Sequence, residues 1–127
     1  MGIVAVLLAA VASYAWGSVW YMSMAKPWMA ANGLTAESID RKNPAPYIIS
    51  FAATVLVAGM MRHILVMAGI ETVGAALVTG LGLGAFIAAP WIVTNYAFAG
   101  RPRALMAIDA TYAVVGCAII GLVLGLF

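Results

Sequence analysis

Four apolar runs, each about twenty residues or longer, decide what this chain can fold into. They cover roughly 3–22, 47–67, 73–97 and 104–127 and leave little between them. A helix needs about 20 mostly apolar residues to cross the hydrocarbon of a bilayer, and strands of that length are rare. In lipid the backbone must satisfy its own hydrogen bonds, so runs this long read as helices. Composition agrees: 66% of the 127 residues are hydrophobic and 8% are charged, where a soluble domain carries about 25% charge. The expected fold is an all-α membrane protein. It is a single domain over 1–127, with four transmembrane helices in an antiparallel bundle. Spans two and three, and three and four, are joined by a few residues, so those pairs are expected to be antiparallel neighbours. Ala10-Val11-Ala12 resembles a signal-peptide cleavage site. However, no positive side chain precedes it and the apolar run continues to Met22, which predicts a retained helix.

The first link, 23–46, has punctuation of its own. Pro27 suits the first turn of a short helix, and Asn32-Gly33 can close it with a left-handed residue. Thr35 can cap a second short helix over 36–42, with Glu37 at its positive end and Arg41 and Lys42 at its negative end. Trp28, Met29 and Ile39 would let this link lie in the headgroup layer as interfacial helices. Lys26, Arg41, Lys42, Arg101 and Arg103 fall in the first and third links, against Arg62 on the other side. That bias places the first and third links in the cytoplasm and both termini outside. Tyr21, Trp28, Tyr47, Tyr96 and Phe98 fall where an aromatic belt on the inner face belongs. At a constant offset of 75 residues, Trp16, Tyr21, Lys26 and Pro27 recur as Trp91, Tyr96, Arg101 and Pro102, a sparse hint of a duplicated hairpin.

Asp109 is the one carboxylate inside a span. An Asp at a helix centre costs about 2.5–3.5 kcal/mol on insertion scales, and less towards the interface. Counting along the spans puts Trp16, Thr54 and Trp91 at a similar depth, with Trp20, Ser50 and Asn95 a turn shallower. Ser13, Trp16 and Trp20 share a face of span one; Gly80, Gly84, Trp91 and Asn95 a face of span three; Asp109, Tyr112 and Gly116 a face of span four. The expectation is a polar cluster of Trp16, Trp20, Ser50, Thr54, Trp91, Asn95 and Tyr112 around Asp109. It either binds a ligand, ion or proton or simply fixes the bundle. Pro90 removes a backbone bond and should kink span three.

Small residues mark helix-packing faces: Gly80 and Gly84 on span three, and Ala110, Ala118, Gly121 and Gly125 on span four. The latter set lies about 140° round the helix from Asp109 at ~100° per residue. One of these two faces of span four is expected to meet a second protomer or another protein. His63 has no soft ligand beside it, the methionines are scattered, and Cys117 sits in an apolar run, so no metal site is expected. No catalytic constellation is visible, and six basic residues give no nucleic-acid footprint.

The stretch Gly17-Ser18-Val19-Trp20-Tyr21-Met22-Ser23-Met24-Ala25-Lys26-Pro27-Trp28-Met29, then Asn32-Gly33-Leu34-Thr35, resembles the opening of a bacterial membrane family. That family is catalogued as domain of unknown function 1761. Asn95, Phe98, Gly100 and Arg101 fit its later part, and Ala25 stands where the family usually has another small residue. The resemblance implies a four-helix inner-membrane protein and supplies no activity. Three functions stay open. The favoured one is a non-catalytic accessory subunit or oligomer within a larger membrane complex. The others are a small transporter or channel using Asp109, and a holder of a pigment, quinone or lipid.

Overall fold

A computed structural model describes residues 2–35, 37–38 and 43–127. The described helices are α1 (Gly2–Ser23), α2 (Ala25–Asn32), α3 (Ala45–Met67), α4 (Val73–Phe98) and α5 (Arg103–Gly125). All but α2 are long and apolar enough to cross a membrane. The expected spans agree with these helices to within two residues at each end. The expected helix over 36–42 lies largely outside the described residues.

The links explain why the helices stop where they do. Gly33, Gly69 and Gly100 follow α2, α3 and α4 with φ of 67°, 68° and 68°. At each, the next amide reaches back to an orphan helix carbonyl: Leu34 to Met29, Ile70 to Leu65 and Arg101 to Tyr96. A side chain at these positive φ values would be strained, so glycine supplies the same reversal three times. Thr72 then caps α4 by accepting from the Ala75 amide at 3.2 Å.

Small residues make the closest helix approaches, beside a core that also buries Met61, Leu105, Ile108 and Ile120. Ala5, Ala9, Ser13 and Gly17 form a buried stripe along α1 at i, i+4 spacing, and Ala58 and Ala76 are buried on α3 and α4. Large side chains such as Leu56 and Phe86 point outwards. Lipid tails are as apolar as leucine, so burying a large side chain gains little. Backbones that approach closely gain dispersion instead.

The helix α5 is the centre of the fold. On one side its Gly121 meets Gly80, its Gly125 meets Val73 and Ala76, and its Val114 and Cys117 meet Gly84 of α4. On the other side Gly116 meets Ser13 and Trp16, and Tyr112 meets Gly17 of α1. In both sets residue numbers rise on one helix as they fall on the other. The helix α3 lies outermost against α1, with Tyr14 edge-on to Phe51 at 5.6 Å. The short link does not make α3 and α4 close neighbours: they meet only marginally, because α4 is held by α5 and α3 by α1.

Both faces of α5 are therefore used within the chain. Gly80, Gly84, Gly121 and Gly125 do mark a packing surface, but its occupants are α4 and α5 themselves. Ala110 and Ala118 are half-buried on the same helix. Neither of the two faces, one of which was expected to meet a partner, is left free: both are occupied by helices of the same chain.

Span three also departs from a regular helix. Residues Gly84–Ala88 form a π-helical turn within α4, where the Ala89 amide donates to the Gly84 carbonyl. Pro90 has no N–H to give and its ring crowds the carbonyl four residues back; widening the turn relieves that clash. The extra residue slips everything beyond it by one position. A straight helix would carry the Gly80–Gly84 face on to Trp91 and Asn95. Here Ile92 and Tyr96 are the half-buried residues, while Trp91 and Asn95 are exposed.

Candidate functional site

The helices deliver two phenols to one carboxylate. Tyr21 Oη donates to Asp109 Oδ1 at 2.5 Å and Tyr96 Oη donates to Oδ2 at 2.6 Å. Helical side chains lean towards the N-terminus of their own helix. Tyr21 and Tyr96 lie near the C-terminal ends of α1 and α4, so they reach into the span. Asp109, about 9 Å into α5 at 1.5 Å per residue, leans out to meet them. Both oxygens of the half-buried carboxylate are engaged, one from each helix flanking α5, and bonds to a charged acceptor are the strong ones.

Tryptophans complete the α1–α5 seam. Trp16 Nε1 donates to the Tyr112 carbonyl at 3.2 Å and Trp20 Nε1 to the Ile108 carbonyl at 3.0 Å. Their rings stack at 5.4 Å. Each indole thus uses a main-chain acceptor on α5 rather than the carboxylate. Tyr112 packs against Tyr21 at 5.1 Å, and a Cβ on Gly17 would fall 2.7 Å from its ring. Glycine at 17 therefore makes room for that ring. Above this layer Trp28 of α2 stands edge-on to Tyr21 at 6.5 Å. Asn32, at the end of α2, donates to the Trp28 carbonyl and accepts from the Arg101 guanidinium. The α2 segment is thereby tied to the third link and to Tyr21.

Of the expected cluster, the structure brings Trp16, Trp20 and Tyr112 to the seam beside Asp109. Thr54 is buried, but its hydroxyl bonds back to the Ser50 carbonyl on its own helix at 2.8 Å. Ser50 is exposed on α3. Trp91 and Asn95 are turned away by the π-helical slip. Tyr21 and Tyr96 were assigned to the aromatic belt, yet they are the direct partners of Asp109. The offset-75 correspondence pairs these two tyrosines and was the signal that could have found them. Among the described residues there is no group of three His, Cys, Asp or Glu side chains able to hold a metal.

These features define an α-helical protein with four membrane-compatible helices and a hydrogen-bonded carboxylate between three of them. The chain belongs to the family described as protein of unknown function (DUF1761), whose model matches residues 4–125. No curated protein and no solved structure matches it.

Proposed function

We propose that this is a non-catalytic, multi-pass inner-membrane protein of a bacterium that works by binding other transmembrane helices, as an oligomer or as an accessory subunit of a larger complex. In this reading the four spans form an antiparallel bundle, α2 lies in the headgroup layer, the first and third links are cytoplasmic and both termini are outside. The observation that carries it is the outward face beyond the π-helical turn. Trp91 is 65% exposed and Asn95 beside it is exposed, although both lie within the apolar span. An exposed amide near the edge of a span gains by pairing with a neighbouring helix, and amide hydrogen bonds between membrane helices contribute about 0.6–2 kcal/mol each.

The Asp109 site favours a fixed clasp over a transport site, since both carboxylate oxygens are already engaged by phenols from two helices. The test is native mass spectrometry in mild detergent with cross-linking from a cysteine placed at Trp91 in a Cys117→Ala background. A defined assembly that Asn95→Leu disrupts is expected. A strict monomer in several lipids, with no cross-linked product, overturns the proposal.

A further inference from the structure

A second polar locus lies at the opposite ends of the helices. Because α3 leans on α1 while α4 is drawn to α5, a gap opens between the far ends of α3 and α4. It is a cavity of about 420 Å³ whose lining includes Arg62, Glu71, Leu65, Ala76, Leu124 and Phe127. Small-molecule sites usually fall between about 300 and 1,000 Å³. The Arg62 guanidinium folds across towards the start of α1, where a Cβ on Gly2 would fall 2.7 Å from its Cζ. Among the described side chains that line the cavity, Arg62 supplies a permanent cation and Glu71 a carboxylate, and the other lining residues are apolar.

From this pairing we propose that the cavity holds the headgroup of a zwitterionic phospholipid, with phosphate on Arg62, the ammonium on Glu71 and the chain origin along Leu65, Leu124 and Phe127. A planar guanidinium presents a fork of donors that matches phosphate oxygens. A carboxylate at the same mouth disfavours a purely anionic headgroup and favours one that carries its own cation. The apolar walls select an amphiphile over free phosphate. This site is independent of the Asp109 clasp and of the Trp91 face.

The experiment is native mass spectrometry of the full chain in detergent, with phosphatidylethanolamine, phosphatidylglycerol of the same chain length, and inorganic phosphate as separate additions. Preferential retention of phosphatidylethanolamine is expected. Arg62→Gln should weaken it roughly tenfold, as loss of a charge-assisted hydrogen bond does. Glu71→Gln should lower phosphatidylethanolamine to the level of phosphatidylglycerol. Leu124→Trp, which changes no charge, should reduce retention of both lipids by filling the cavity. Arg62 and Glu71 are exposed, so their substitutions leave the core untouched. Equal retention of the two lipids by the parent chain, unchanged binding by Arg62→Gln, or displacement of lipid by inorganic phosphate would each overturn the assignment.

Discussion

Removing the Asp109 side chain tests whether the carboxylate is a clasp. Asp109→Ala deletes two hydrogen bonds of 2.5 and 2.6 Å and leaves two inward-pointing phenols without acceptors. Hydrogen bonds to charged groups contribute about 1.5–3 kcal/mol in water-soluble proteins, whereas side-chain bonds in membrane proteins average about 0.6 and reach about 1.7 kcal/mol. Short bonds to a half-buried charge belong near the upper membrane figure, so Tyr21→Phe and Tyr96→Phe should each cost about 1–1.5 kcal/mol. Asp109→Ala should cost about 2–3 kcal/mol, the two bonds together. The informative step is the same alanine substitution in the Tyr21→Phe, Tyr96→Phe double variant. There the acid has lost its donors, and removing it should cost almost nothing or stabilise the fold, because an unsatisfied charge inside a span is itself unfavourable. Reversible unfolding in mixed detergent micelles measures all four corners of this cycle. An Asp109→Ala cost that is equal in both backgrounds would show that the phenols are bystanders, and the clasp would be abandoned.

Other substitutions probe the scaffold. Gly80→Ala should destabilise by about 1–3 kcal/mol through overpacking, because its Cβ would lie 2.3 Å from the Cys117 carbonyl oxygen, a backbone atom that cannot step aside. Gly82→Ala, two residues along the same helix with nothing within 4 Å, should be neutral or stabilise by about 0.5–1 kcal/mol on helix propensity; equal losses in the two variants would refute the tight α4–α5 contact. In a Pro90→Ala background, deleting Ile87 should convert the π-helical turn to an α-helical one and keep Tyr96 on Asp109. Deleting Leu77 should instead rotate everything beyond it by about 100° and break the clasp. Yield of folded protein after size-exclusion chromatography separates these cases. Trp20→Phe removes the 3.0 Å bond to the Ile108 carbonyl and trims the ring stacked on Trp16; the bond alone should cost about 0.5–1.5 kcal/mol in the same unfolding assay.

The spans were legible because length and apolarity are one-dimensional quantities, and so was the left-handed Gly33 that ends α2. Asp109 was legible too, as a charge where lipid tolerates few. Its partners were harder. Helical spacing alone put Trp91 and Asn95 beside it, and that arithmetic fails once the chain makes a single turn of five residues in place of four. Nothing in Gly84–Ala88 signals that turn except Pro90 downstream, which also fits an ordinary kink. The choice of neighbours was hidden for a related reason: glycine spacing on two spans says that each can be approached closely, not that they approach each other.

That α5 separates α1 from α4 bears on how the molecule is made. The backbones of the two helices that carry the tyrosines do not pack together, and these helices leave the ribosome before their shared partner does. Until the last span enters the membrane they have no common wall, and their two hydroxyls have no common acceptor. When it arrives it brings the acid and the common wall together, so the one carboxylate in the spans is introduced at the moment when both phenols can reach it. Truncation before residue 103 should therefore leave α4 undocked beside an α1–α3 pair, open to capture by quality-control proteolysis.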